Sequence, residues 1–207
     1  LDVEVIVPVD DMGRLGEEIT DAADLDPAAS GPARRSIWPS MHPRLLDLVR
    51  ENRSTIVFVN ARRLAERLAT RLNELALEGE TRSAEAEGTP PEPGRELVKA
   101  HHGSLSREQR LIIEDELKRG TLKGLVATSS LELGIDMGAV DLVVQVESPG
   151  AVSRGLQRIG RAGHQVGVPS RGKLFPKHRA DLLEAAVVVE RMQNGLIEET
   201  HYPRNPL

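Results

Sequence analysis

Apolar residues recur along this chain in two rhythms that take turns. Val3, Val5, Val7 and Val9 fall at every second position, which predicts a strand over Asp2–Val9 with Pro8 near its end. Thr55-Ile56-Val57-Phe58-Val59 is instead a continuous apolar run, the pattern of a strand buried on both faces of a parallel sheet. Leu97–Ala100, Leu122–Ala127, Val140–Val146 and Lys173–Phe175 predict four more strands. Between the strands the period lengthens. Leu64, Leu68, Leu72 and Leu75 keep helical spacing behind Asn60, a good helix cap. Leu45, Leu46, Leu48 and Val49 predict a helix after Pro43. Ser106-Arg107-Glu108-Gln109 is a capping box opening a helix that reaches Gly120, and two further helices are expected over Ala151–Ile159 and Ala180–Gln193.

Two stretches break the pattern. Asp10–Pro39 is rich in Asp, Ala, Gly and Pro and reads as a long connection with a short helix near Gly16–Ala23. Glu78–Gly94, which contains Thr89-Pro90-Pro91-Glu92-Pro93-Gly94, reads as a flexible surface insertion. Strands alternating with helices predict an α/β fold with a mostly parallel central sheet and helices on both faces. The expected organisation is an entering strand and connection over 1–40 and one domain over 41–207, with the insertion near 78–94. In such sheets binding groups gather in the loops beyond the carboxyl ends of the strands. Asn60-Ala61-Arg62, His101–Ser104, Thr128–Asp136 and the segment from Pro149 onward all fall there.

Composition narrows the chemistry. The chain has no cysteine, which excludes disulfides, thiolate-bound zinc, iron–sulfur clusters and thiol nucleophiles, and which fits a cytoplasmic setting. No apolar run approaches the roughly 18 residues of a membrane span, so no membrane partner is expected. Leu1-Asp2-Val3-Glu4-Val5 has no basic stretch followed by an apolar one, so no signal peptide is expected, and Leu1 fits a piece of a longer polypeptide. A net charge of −5 argues against indiscriminate coating of nucleic acid. Yet Ser148–Ala180 carries seven basic residues and no Asp or Glu, either a solvated stripe or an anion site. Aromatic residues are only 2%, so a grip on a single strand must rest on backbone amides, hydroxyls and guanidinium groups rather than stacked rings.

Motifs of self-contained enzymes are missing. A phosphate-binding loop needs G-x-x-x-x-G-K-[ST], with a hydroxyl for Mg²⁺. Gly155-Leu156-Gln157-Arg158-Ile159-Gly160-Arg161-Ala162 puts Arg161 and Ala162 at the two decisive positions, and alanine cannot ligate a metal. Ile112-Ile113-Glu114-Asp115-Glu116 imitates an apolar strand ending in metal-binding acids, but it lies inside the helix opened by Ser106, so its acids are read as a solvated helix face. His101 and His102 are adjacent, and adjacent strand residues point to opposite faces, so they cannot chelate one ion. No metal site is expected.

Three segments remain: Ala127-Thr128-Ser129-Ser130-Leu131-Glu132-Leu133-Gly134-Ile135-Asp136, Gln157-Arg158-Ile159-Gly160-Arg161-Ala162-Gly163-His164, and His101-His102-Gly103-Ser104-Leu105-Ser106. In order and spacing they resemble motifs V, VI and IVa of superfamily 2 helicases, and Ile56–Arg62 resembles motif IV. The closest resemblance is to the Lhr (large helicase-related) family. It covers about Leu45–Asn194, with Asp2–Val9 as the strand entering the second RecA-like domain.

The resemblance implies a RecA-like three-layer sandwich that forms the second half of an ATP-driven motor. ATP and Mg²⁺ would be held mainly by a first RecA-like domain, the expected partner within the parent chain. It further implies translocation on single-stranded DNA, unwinding of duplexes or RNA–DNA hybrids, and work in genome maintenance in a bacterial cytosol or nucleoid. An RNA helicase half and a non-catalytic binding module of the same fold are the competing readings.

Residue by residue, the resemblance makes Arg161 an arginine finger, with Arg158 supporting it. A rigid guanidinium suits the charge that develops on a γ-phosphate. Arg154, Arg158 and Arg161 are spaced i, i+4, i+7 and would share one face of a continuous helix; three surface arginines are the plain alternative. Asp136 would contact the ribose hydroxyls or else cap a turn at Met137-Gly138, and Gln157 would reach the nucleotide or bridge the domains. His164 stands where the family's common second arginine belongs, and either donates a hydrogen bond or is structural. Asn60, Arg62, His102, Gly103, Ser104, Thr128, Ser129 and Gly134 are the candidates for contact with a nucleic-acid strand.

Overall fold

Six strands, all parallel, form one sheet in the order β1-β6-β5-β2-β4-β3. The computed structural model describes residues 1–17, 35–87, 96–132, 140–163 and 169–199. The strands are β1 (Asp2–Val5), β2 (Thr55–Phe58), β3 (Val98–His101), β4 (Gly124–Ala127), β5 (Leu142–Val146) and β6 (Arg171–Phe175). The helices are α1 (Trp38–Glu51), α2 (Arg62–Glu87), α3 (Arg107–Lys118), α4 (Val152–Ile159) and α5 (Arg179–Gln193). In β2, Thr55 lies opposite Gly124 and Leu142, and Phe58 lies opposite Ala127 and Gln145, so β2 and β4 end level and β5 runs one residue further.

The continuous apolar run of β2 is explained by two cores. Val57 and Val59 join Met41, Leu45, Leu72 and Val144 under α1 and α2. Ile56 and Phe58 point the other way and join Leu117, Leu125, Val143, Ile159 and Val188 under α3, α4 and α5. Alternation along the strand thus sends apolar side chains into both layers. Full burial of a residue such as Phe58 or Ile56 contributes about 1.5–3 kcal/mol. The result is the expected three-layer α/β sandwich.

Three local expectations need correction. The first α-helix begins at Trp38 and runs through Pro43 instead of starting after it. Proline costs an i→i−4 bond, but the helix buries Met41, Leu45, Leu46, Leu48 and Val49, which outweighs that loss. The insertion expected from Glu78 starts later, because α2 continues to Glu87. Ala, Glu and Arg are strong helix formers, and Arg71 bonds Glu74 and Glu78 along the surface at 3.0 and 3.2 Å. The rest of that segment, 88–94, lies outside the described residues. The entering strand ends at Val5 rather than Val9, ahead of Pro8; after it a short 3-10 turn at Met12–Arg14 is capped by Asp11 at 2.7 Å, and most of the helix expected near Gly16–Ala23 falls in residues 18–34, outside the described set.

The capping box forms as read: Gln109 N donates to Ser106 Oγ at 3.2 Å and Ser106 N to Gln109 Oε1 at 3.1 Å. Helices α4 and α5 approach closely at Gly155, where an added Cβ would sit 2.6 Å from Met192 Sδ. Among the described residues, no helix is long and apolar enough to cross a membrane.

Candidate functional site

Glu132, just past the turn that follows β4, organises one corner of the sheet's carboxyl edge. Arg158, in the last turn of α4, is 3% exposed. Its Nε and Nη2 donate to Glu132 Oε1 at 2.8 and 2.5 Å, and its Nη1 donates to Gln145 Oε1 at 2.7 Å and Asn60 Oδ1 at 3.0 Å. The guanidinium also lies 5.2 Å over the Phe58 ring. Burial pulls its pKa down and Glu132 opposes the shift, as expected for an interior cation that must be paired.

Arg154 Nε stands 3.9 Å from the same carboxylate, and Arg161 Nη2 donates to the Glu132 carbonyl at 2.8 Å. The three arginines therefore do converge, but not along one helix face. Helix α4 stops at Ile159, Gly160 is its C-cap, and Arg161 reaches Glu132 from the turn beyond.

Asn60 ties this corner to the β5–α4 loop. Its Nδ2 donates to Ser148 O at 3.0 Å and Glu147 Oε2 at 3.4 Å, while its Oδ1 accepts from Arg158. The side chain is thus engaged with protein at both ends. Glu147 is the single described non-glycine residue with positive φ, at +66°, a conformation that costs about 1–3 kcal/mol and recurs at functional sites. It is held by Lys177, whose ammonium also lies 5.7 Å from the Trp38 ring. Buried Asp181 anchors two loops at once, accepting from Ser148 N and Lys177 N at 2.7 Å each.

The second corner lies at the ends of β3 and β4. His101 and His102 point to opposite faces, as adjacent strand residues must. Fully buried His101 meets Glu114 of α3, Nε2 to Oε1, at 3.0 Å; His102, 4% exposed, meets Glu66 of α2 at 3.0 Å. Burial lowers the His101 pKa, with Glu114 opposing and Arg110 and His102 adding to the depression. Glu114 is accordingly not on a solvated helix face: it is 4% exposed, and only Asp115 of that acidic run fits the expectation, since Glu116 pairs with Lys99 at 2.7 Å. Buried His102 stands behind its loop, where Ser104 N donates to its Nδ1 at 3.3 Å.

The exposed candidates lie in front. Gly103, Ser104, Ser129 and Arg62 are open to solvent, Thr128 is half-buried, and Arg62 Nη1 donates to Ser104 Oγ. Gln157 is exposed on α4. Gly134, Asp136 and His164 lie outside the described residues. Among the described residues no cluster of three His, Asp or Glu side chains could hold a metal ion.

Sequence reasoning passed over Glu132, Gln145 and the His101–Glu114 pair. Gln145 had a signal, a lone amide inside an apolar strand, and three arginines on one spacing call for a buried counter-charge. Nothing in the sequence pairs His101 with Glu114, thirteen residues on.

Comparison with known proteins follows the same lines. The helicase conserved C-terminal domain family matches residues 40–165. Over its whole length the chain is 50% identical to the Lhr helicase/probable uracil glycosylase of Mycolicibacterium smegmatis, of which it spans 14%. It is 37% identical, again over its whole length, to the ATP-dependent helicase Lhr-Core of Saccharolobus solfataricus, of which it spans 20%. The solved structure of Mycobacterium smegmatis helicase Lhr bound to ssDNA and AMP-PNP matches 98% of the chain at 54% identity and a TM-score of 0.76, and the chain spans 23% of it.

Proposed function

Because the chain belongs to the helicase conserved C-terminal domain family and Lhr helicases are among its relatives, we propose that it is the second motor domain of an ATP-dependent helicase moving on single-stranded DNA. A first RecA-like domain of the same polypeptide holds the ATP phosphates and Mg²⁺, and this domain closes the cleft. Water attacks the γ-phosphorus as the β–γ bridging oxygen leaves, and charge accumulates on the equatorial oxygens. Arg161 meets that charge. Arg158, its guanidinium committed to Glu132, Gln145 and Asn60, acts by holding Glu132 and therefore Arg161 in place. Asp136 takes the ribose hydroxyls, Gln157 the nucleotide or the partner domain, and His164 donates a hydrogen bond or shapes its turn.

Thr128, Ser129, Gly134, Gly103, Ser104 and Arg62 contact the strand's phosphates, with His102 and Asn60 bracing them from within. Closure on ATP and release after hydrolysis shift these loops along the strand and open duplexes or RNA–DNA hybrids. The setting is the bacterial cytosol or nucleoid, and the service genome maintenance.

One observation carries the reading: Arg154, Arg158 and Arg161 converge on Glu132, in the same short loop as Thr128 and Ser129. The arginine proposed to meet the γ-phosphate is thus hydrogen-bonded to the same piece of backbone that carries two of the proposed strand contacts. The test is ATP hydrolysis, with and without single-stranded DNA, by this chain, by the full-length polypeptide and by its Arg161→Ala variant. We expect silence from the chain alone, DNA-stimulated turnover by the full-length protein, and a loss of about 10³–10⁵ in the variant. Turnover by the chain alone, or full rate in the variant, would sink the proposal.

A further inference from the structure

The exposed groups at the β3–β4 corner are small apart from Arg62, and behind them lies a cluster of buried His101 and Glu114 with half-buried Ser130. His101 Nδ1 is 2.9 Å from Ser130 Oγ, and its Nε2 is 3.0 Å from Glu114 Oε1. The His101 carbonyl accepts from Thr128 N at 3.2 Å and lies within 3.2 Å of the Ser130 hydroxyl. We propose that buried His101 and Glu114, with half-buried Ser130, form a positioning triad that holds the loop after β4 in register with the loop after β3, so that one DNA strand meets both together. The proposal rests on the reading of those loops as strand contacts.

Stability alone does not account for such a cluster. An interior carboxylate and imidazole cost desolvation, and well-packed apolar side chains of the same volume are commonly as stable or more so. Directionality is what a polar cluster adds. With Nε2–H donating to Glu114, Nδ1 is an acceptor, and the single Ser130 hydroxyl proton points at it. The His101 carbonyl is then left to Thr128 N–H. One residue at the end of β3 thereby fixes both the first and the third residue of the Thr128–Ser130 segment. Glu114 adds a third tie, because α3 begins at the capping box that ends the Gly103–Ser104 loop. The charged and titratable neighbours are Glu114 and Arg110 from α3 and His102 just past β3; burial keeps His101 neutral around pH 7, the state this arrangement needs. No member of the triad touches the strand itself.

The test uses the full-length polypeptide and separates strand affinity from catalytic capacity. The single-stranded DNA concentration that half-saturates ATP hydrolysis is measured for Ser130→Ala, Glu114→Gln and the double variant, together with maximal rate and KM for ATP. Each single change should raise the half-saturating concentration about threefold to tenfold, and the double should exceed the worse single by less than about twofold, as for members of one network. Maximal rate and KM for ATP should stay within about twofold of the parent. A fall in maximal rate at unchanged half-saturation would mean only a loss of folded protein and would overturn the proposal. Unchanged values in all three variants would overturn it as well, provided Thr128→Val still weakens the response to DNA. If Thr128→Val has no effect either, the strand-contact reading itself falls and takes the triad's role with it.

Discussion

At the α4 corner Arg158 is buried and locked onto Glu132, Gln145 and Asn60, whereas at the β3–β4 corner the groups offered to a ligand are exposed and, Arg62 apart, small, and the buried ones stand behind them. Arg158 has four hydrogen bonds and a 4% exposed side chain; Ser104 and Ser129 are open to solvent. The two jobs proposed for these corners call for the two designs. Charge that appears only in a transition state is best met by a cation already held in place, and buried Arg158 holds the Glu132 to which Arg161 is bonded. A strand that must be released at each step is better met by weak, interchangeable contacts to its backbone. Precision at the second corner therefore has to come from behind the surface.

The comparison can be broken most severely at Glu132. Glu132→Ala leaves the Arg158 charge buried without its partner, and unfolding in denaturant should reveal a loss of about 3–5 kcal/mol. Glu66→Ala, behind His102, removes a carboxylate whose side chain is 50% exposed and should cost less than about 1 kcal/mol. Equal losses would erase the distinction between the corners. A second contrast uses glycines. Gly155→Ala pushes a methyl group to 2.6 Å from the buried Met192 sulfur and should cost about 1–3 kcal/mol, whereas Gly103→Ala meets open space and should stay within about 0.5 kcal/mol.

Acid should sharpen the picture further. His101 and His42 both have pKa values lowered by burial, so the unfolded chain binds their protons more tightly than the folded one. Their contribution is complete above an unfolded pKa of about 6.5 and is lost as pH falls from there through the folded values, so the thermal midpoint should be lower at pH 5 than at pH 7. The smallest effect is expected from Glu198. Its carboxylate accepts from Val152 N and Ser153 N, which holds its pKa at about 2, so its contribution is present above about 4.5 and fades toward pH 2. Glu198→Gln should flatten that limb of the midpoint-versus-pH curve and leave the region above pH 5 unchanged.

Much of the fold was legible because it follows from local rhythm. The run from Thr55 to Val59 announced a doubly buried strand, and Ser106 with Gln109 announced a helix start. Errors arose where tertiary burial overrode local chemistry. Pro43 argued against a helix that Met41 and Leu45 needed, and Glu114 was read as solvated because its partner comes from a neighbouring strand. At the site, the motif residues were visible as a set, but their geometry was not. Spacing put three arginines on one helix face, whereas the chain turns at Gly160 and brings them to Glu132 by another route. Which candidates face outward was equally hidden: Asn60 and His102 belong to the strand-contact motifs by sequence, yet both direct their polar atoms at protein groups.

Six parallel strands also give the molecule a quiet side. The turns that lead from helix into strand, such as Asn52–Ser54 and Arg119–Lys123, lie at the opposite edge from every proposed contact, where Asp141 receives Arg53 N and Ser54 N at 2.8 and 3.2 Å. A reporter dye belongs there. These 207 residues hold no cysteine, so Arg119→Cys, which gives up only a surface ion pair with Asp115, introduces a single thiol into this domain, far from the proposed contacts. In the full-length polypeptide, motion of this domain against the proposed first RecA-like domain could then be watched by fluorescence without touching the proposed contact surfaces.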